Sequence, residues 1–388
     1  MFVRPTGSRG RRAIGSLLRV ACIAGPLTAP TTASAQLLRG DTTVKLTFGA
    51  FVDGYYAWDF NQPTTIDRSF FGDVGLFTTQ PSRHDEFNVN LVFGEAKLES
   101  RRFRARFALQ AGTSVQNNYS GEPTIGQVSG PLLSRIIQEA TAGIKVGTNL
   151  WVDGGIFFSN AGMEGWISRD NPTYTRSLVA DYSPYYSSGV RAIWQASSTL
   201  AVRVDVVNGW QNISENNSGK GAGVRVDYSP NANATISYYD LFSDEAGNRL
   251  RTFNGVGAKA AFGATTILGE YDIGTQSHSA SRDGTASWYG FTFIARQQVT
   301  RLLGVSGRFE RYSDPSQVII VTGVTAVPIA AFLGNGVSAG IDVQPLPGVL
   351  WRSEIRGFTN KYPVFPNHKI PEPKKTDGFV VSSLALTF

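Results

Sequence analysis

Thr376-Asp-Gly-Phe-Val-Val-Ser-Ser-Leu-Ala-Leu-Thr-Phe388 closes the chain and decides its fold. Val380, Leu384, Leu386 and Phe388 share one parity, interrupted by Ser382, while Val381, Ser383, Ala385 and Thr387 form a smaller, more polar set. Side chains alternate across a strand, so the segment reads as one strand with two unlike faces. An unpaired edge that ends on an exposed aromatic invites aggregation in water. A closed barrel in a lipid bilayer removes the edge and gives the apolar parity a solvent of its own.

The other end of the chain repeats the pattern. Even positions read Val44, Leu46, Phe48, Ala50, Val52, Gly54, Tyr56, Trp58 and Phe60, against Lys45, Thr47, Asp53 and Asp59 on the odd ones. Such a run is long for a globular strand but suits a tilted barrel strand that projects beyond the lipid. Tyr55, Tyr56, Trp58 and Phe60 fit an interfacial girdle. Strands are expected at 44–60, 85–98, 101–115, 136–147, 150–160, 184–196, 198–210 and 219–229. Eight more follow at 232–243, 250–262, 264–274, 285–299, 301–312, 330–344, 348–360 and 376–388.

Connections after even-numbered strands are tight, around Ser100, Thr148-Asn149, Ser197, Pro230-Asn231, Gly263, Thr300 and Pro345 to Pro347. Those after odd-numbered strands include the long segments 61–84, 116–135, 161–183 and 361–375. A stack of soluble sandwiches has no reason to alternate in this way. The expected fold is all-β: a transmembrane antiparallel up-and-down β-barrel of about 16 strands, with 14 or 18 as alternative counts. The 313–329 connection, rich in Val and Ile, could hold an extra hairpin.

The first residues supply an address. Arg4, Arg9, Arg11 and Arg12 precede a short apolar stretch, and Ala33-Ser34-Ala35 forms a small-residue cleavage site. The expected organisation is a signal peptide over 1–35 and a single barrel over 36–388. The 388-residue chain carries 36 basic and 30 acidic residues, a formal charge of +6. Five of those arginines lie in 1–35, so 36 less 5 leaves 31 basic residues against 30 acidic ones. A net charge near +1 gives no support for nucleic-acid binding. The sole cysteine, Cys22, also falls in the leader. The basic n-region, the cleavage site and the barrel pattern together place the mature chain in the outer membrane of a Gram-negative bacterium, reached through the periplasm. Outer-membrane lipid is then one partner, and the barrel-assembly machinery, engaging the terminal strand at Phe388, is another. A homo-oligomer such as a trimer is compatible with the pattern.

The parity opposite to lipid is charged. Phe103, Ala105, Phe107 and Leu109 face one way, and Arg102, Arg104, Arg106 and Gln110 the other. Three unpaired guanidiniums would be intolerable in a dry core but stay solvated in a water-filled lumen. Acids and bases of matching type recur: Glu95 and Glu99, Asp153, Arg203 and Asp205, Arg225 and Asp227, Glu270 and Asp272. Arg308 and Glu310, then Arg352, Glu354 and Arg356, continue the series, mostly at i, i+2 spacing.

The segments His84–Asn90, Ala108–Tyr119 with Gly121-Glu-Pro123, Trp151–Ile156, Ser168-Arg-Asp-Asn171 and Ser183–Gly189 resemble the OmpL-like β-barrel porin family of Gram-negative envelopes. The resemblance is stronger in the first half and implies an outer-membrane channel of unassigned substrate, with no catalytic residue to carry over. One long outer loop of a porin commonly folds inward. The 116–135 segment is the first candidate, with Glu122 set to face Arg102, Arg104 or Arg106 while Ile125, Leu132 and Leu133 pin the loop to the wall. The 161–183 segment is the second, with Trp166, Arg169, Asp170, Tyr174, Arg176 and Asp181.

The expected activity is passive diffusion of small hydrophilic solutes with weak ion preference, selected by lumen width and the field between arginines and carboxylates. Pore-lining or constriction candidates are Arg102, Arg104, Arg106, Glu122, Asp153, Arg203, Asp205, Arg225, Asp227, Arg308, Glu310, Arg352, Glu354 and Arg356. A non-conducting structural or adhesive barrel is the alternative. An outer-membrane hydrolase would need a positioned nucleophile and base, and His84, His278 and His368 are scattered with no serine motif beside them. No enzyme activity, cofactor or metal is expected; Asp240, Asp244 and Glu245 lack calcium-loop spacing.

Overall fold

The structure, a computed structural model, describes residues 44–72, 75–245, 249–278, 284–322, 331–368 and 372–388. The expected signal peptide, 1–35, lies outside the described residues. The first eight strands are β1 (Lys45–Asp59), β2 (Phe87–Glu99), β3 (Phe103–Ala111), β4 (Ile137–Lys145), β5 (Leu150–Phe158), β6 (Tyr186–Gln195), β7 (Leu200–Val207) and β8 (Gly221–Asn231). They continue as β9 (Ala234–Glu245), β10 (Arg249–Phe262), β11 (Thr265–Gln276), β12 (Ala286–Gln298), β13 (Leu303–Asp314), β14 (Phe332–Leu346), β15 (Val349–Asn360) and β16 (Thr376–Thr387). Each pairs antiparallel with its sequence neighbours, and β1 pairs with β16 to close a sixteen-stranded barrel.

Closure satisfies the last free edge. Phe51 stands opposite Thr387 and Asp59 opposite Phe379. Beyond the strand end, the Phe388 amide donates to the Ala50 carbonyl at 2.9 Å. Val380, Leu384 and Phe388 face outward, whereas Phe379, Val381 and Ala385 are buried inside. β1 obeys the same rule: Leu46 and Phe48 are exposed outside, and Phe51, Asp53, Tyr55, Ala57 and Asp59 point in. Tyr55 therefore leaves the expected girdle; its hydroxyl lies 3.1 Å from the Thr113 hydroxyl inside the barrel.

Strand ends fall close to those read from the alternation, with one clear departure. β3 stops at Ala111 instead of running to 115, and α1 (Thr113–Asn118) follows. The break is Gly112, whose φ is 137°; a Cβ there would stand 2.2 Å from the Asn90 carbonyl oxygen. Only glycine lets the chain pass that close to β2. The start of β3 differs too. Arg102 sits exposed in the tight turn before it, where the Ser100 hydroxyl accepts from the amides of Arg102 and Phe103 at 3.1 and 2.9 Å.

Long connections follow odd-numbered strands, except between β9 and β10, where only three residues separate the strands. Residues 315–322 form no strand; the Asp314 carboxylate instead gathers the amides of Val318, Ile319 and Ile320 at 2.7–3.0 Å. The expected hairpin in 313–329 finds no strand there, and its remainder lies outside the described residues.

The two parities face different media, and a charge on each should report it. Phe309 faces outward near the middle of β13, whereas its neighbour Arg308 is buried inside. Phe309→Arg is expected to lower the unfolding free energy in lipid vesicles by about 2–4 kcal/mol. A change near zero in a denaturant titration would contradict the outward placement.

Candidate functional site: the charged inner wall and the loop folded against it

The inner wall divides into two arcs that use the same chemistry differently. On β2 to β8 the charges pair mainly with one another, partly open at Arg104 and Arg106 and buried at Arg191 and Asp205, while Arg225 also donates to the carbonyls of Asn160 and Gly162 at 2.8 and 2.7 Å. Arg104 reaches over β4 to Asp153, with Nε to Oδ1 at 2.9 Å and Nη2 to Oδ2 at 2.5 Å. Gly143 lies in register between them, and a Cβ there would collide with the Asp153 carboxylate at 1.8 Å. Arg106 pairs with Glu95 at 2.7 Å and with Glu139. Asp205 holds Arg191 at 2.6 Å, and Asp227 holds Arg225 at 2.8 Å and Arg203 at 3.3 Å.

On β11 to β15 and β1 the charges hold a loop. Residues 161–183, between β5 and β6, lie inside the barrel against this arc. Thr175 is the pivot: its amide and hydroxyl donate to Glu354 at 2.7 and 2.9 Å. The same hydroxyl accepts from Arg308 Nη2 at 2.6 Å, and the Thr175 carbonyl accepts from Nη1 at 2.7 Å. Glu310 accepts from the Leu178 amide at 2.6 Å and pairs with Arg356 at 2.7 Å. Arg352 donates to the carbonyls of Ser168 and Asn171 at 2.7 and 2.9 Å. Two further carboxylates receive the loop: Asp53 from the Ser168 hydroxyl and Glu270 from the Met163 amide, each at 2.9 Å.

Thus the second loop candidate is the one that folds in. The loop's short helix (α2, Leu178–Asp181) and the residues around it join an aromatic cluster inside the barrel with the 61–84 connection. Phe77 lies 4.5 Å from Phe358 and 5.0 Å from both Phe70 and Phe365. Arg68 ties that connection down through Asp59 at 3.0 Å and Asp377 at 2.6 Å.

The 116–135 connection behaves otherwise. Glu122 does not face Arg102, Arg104 or Arg106; it accepts from the amides of Ile213 and Ser214 at 2.9 and 3.3 Å. Ile125, Leu132 and Leu133 are exposed and pin nothing to the wall. Of the fourteen sequence candidates, Arg102 and Glu122 stand apart; the other twelve line the inner wall in two groups. Arg68, Glu139, Arg191 and Asp342 were missed. Strand parity could have flagged the last three, but nothing local distinguishes Arg68.

Glu164 is the loop's own buried acid. Its Oε2 accepts from the Ser177 amide at 3.1 Å and from the Ser177 hydroxyl. Burial pushes its pKa up to about 7, against the pull of Arg308 and Ser177. His84, one of the three scattered histidines, is a loop residue whose Nε2 lies 2.8 Å from the Thr65 carbonyl.

Residues 45–388 match the family described as "Putative beta-barrel porin-2, OmpL-like". The chain belongs to that family. This porin is therefore an outer-membrane protein. No curated protein matches it. Among solved structures it is similar to an anion-selective porin from Comamonas acidovorans, at 12% identity over 89% of this chain and 100% of that one, with a TM-score of 0.57. In-vitro folded OmpT of Vibrio cholerae, in its trimer form, aligns at 9% identity over 89% and 100% with a TM-score of 0.55. Salmonella typhi OmpF in complex with daunomycin gives 12%, 89%, 98% and 0.56. At these identities the shared property is the barrel.

Two outcomes follow from the anchoring. Glu354→Ala leaves Arg308 buried beside one fewer carboxylate and strips Thr175 of its acceptor, a loss on the order of 3–5 kcal/mol. Trypsin should then cut after Arg176 in the folded variant and spare the parent; equal resistance would contradict the anchor. Glu164 binds its proton more tightly in the folded chain than in the unfolded one, with a folded pKa near 7 against an ordinary 4.5. Its contribution is present below pH 4.5 and lost as pH rises to 7. Glu164→Gln should flatten the fall in thermal stability between those limits, as a pH series of melting curves would show.

Proposed function

We propose that this porin is a passive diffusion channel for small hydrophilic solutes, running along the β2–β6 side of the wall. The observation that carries the reading is the contrast between the arcs. Arg308 and Glu310 retain no side-chain exposure, whereas Arg104 and Arg106 keep 33% and 25%. Beside them lie two adjoining cavities of about 340 and 300 Å³ that share Lys97 and Arg106. Water in that space solvates the ion pairs, and a solute would meet both signs of charge at close range. Both signs alternate along the arc, so ion preference is weak and width does most of the selecting.

A second reading has its own support. The aromatic cluster between the 61–84 and 161–183 connections is a dry plug over part of the lumen, as a structural or adhesive barrel could have. On the likeness to the trimer form of OmpT alone, a homotrimer is the assembly proposed. Recognition of the terminal strand at Phe388 by the assembly machinery belongs to the same proposal.

Single-channel recording in planar bilayers separates the readings. The parent should give discrete steps, and Arg104→Glu should shift the reversal potential in a salt gradient toward cations. Silence from a correctly folded barrel would favour the non-conducting reading.

A further inference from the structure

The cavity of about 340 Å³ lies between the inward loop and the β2–β3 wall. Its floor is Glu95, Lys97 and Arg106, and its loop side presents Glu164, Trp166, Arg169 and Arg176. Most of these charges are already answered. Glu95 pairs with Lys97 at 2.8 Å and with Arg106 at 2.7 Å, and Arg169 has Asp170 at 3.4 Å.

Arg176 is the exception. It is 3% exposed, yet no carboxylate lies within ion-pair distance of it among the described residues. The other buried arginines, Arg68, Arg191, Arg308, Arg352 and Arg356, all have one. Its guanidinium lies over the Tyr185 ring at 3.7 Å, and Nη2 donates to the Ala180 carbonyl at 2.8 Å. Nε has no hydrogen-bond partner. The loop's acids are turned to other work: Glu164 Oε2 takes Ser177, and Asp181 Oδ1 takes the hydroxyls of Thr79 and Tyr185 at 2.5 and 2.7 Å. Glu164 feels its charge only from beyond ion-pair distance, and a buried guanidinium with no carboxylate in direct contact is costly unless an anion completes it.

We propose that this cavity is a binding site for a small organic carboxylate, with Arg176 as its charged anchor. The carboxylate takes hydrogen bonds from the unfilled edge of Arg176. The organic body lies against Trp166 and Tyr185, whose rings meet edge-on at 5.0 Å. Stacking on Tyr185 fixes the plane of the guanidinium in advance, which favours a planar, two-oxygen ligand over a spherical ion. Glu164, the one acid of the lining with no basic partner within ion-pair distance, carries only part of a charge near neutral pH, so it opposes the anion weakly. The site rests on the channel reading only for how a solute reaches it, because binding itself needs no conduction.

The test uses the folded full-length barrel in detergent micelles, with phenylacetate as probe and its neutral amide, phenylacetamide, as control. Isothermal titration should show phenylacetate binding roughly tenfold or more tightly than the amide. Arg176→Gln should abolish that difference, and Arg176→Lys should retain part of it. Equal binding of acid and amide by the parent, or a preference that survives Arg176→Gln, overturns the proposal. If Arg176→Gln does not fold, the parent's acid-to-amide ratio and the lysine variant still decide. Bilayer recordings keep the two readings apart: a barrel that binds without conducting keeps the site and loses the channel, and one that conducts without binding does the reverse.

Discussion

Pairing of β1 with β16 is the constraint on which everything else rests. Without it, two rows of backbone donors and acceptors would stand bare in hydrocarbon, each at a cost of several kcal/mol. With it, every strand has two neighbours, and side chains are left with a strict choice between lipid and interior. That choice explains why Phe48 and Asp53 can sit five residues apart on one strand, each in a medium that suits it.

The interior then faces its own problem, which is charge. A sixteen-stranded wall encloses more space than its side chains fill, and the chain answers in two ways. Along β2 to β6 the arginines and carboxylates pair with one another, and room is left beside Arg104 and Arg106. Along β11 to β15 they are spent on the 161–183 loop, whose backbone amides, carbonyls and hydroxyls take the place of water. Arg308, Glu354 and Thr175 show why the second arrangement can be dry: each charge has both a counter-charge and hydrogen bonds to the loop. A buried pair that lacked those extra partners would not recover its desolvation cost.

Function follows from the asymmetry between the arcs. A uniformly charged lumen would be a wide pipe, and a uniformly filled one would be a plug. Here the loop and the buried cluster that includes Phe77 fill much of the interior, and space remains beside Arg104 and Arg106 for a passage. The loop also sets Arg176 against an open space with no carboxylate in ion-pair contact, which makes the loop a recognition element as well as a filler.

Much of this was legible in the chain alone. Alternation of period two set the strands, the spacing of turns set the meander, and the parity of Arg104, Arg106, Asp153 and Glu310 set which charges face inward, because each is a local property of neighbouring residues. The inward loop was not legible in that way. Its contacts join residues far apart in sequence, as Thr175 does with Glu354 179 positions away, and no periodicity marks 161–183 over 116–135. Glu122 was misplaced for the same reason: a carboxylate takes whichever amides the tertiary fold brings to it, and those belong to Ile213 and Ser214. Local pattern decides what a strand must do with its two faces; only closure of the barrel decides which loop meets which wall.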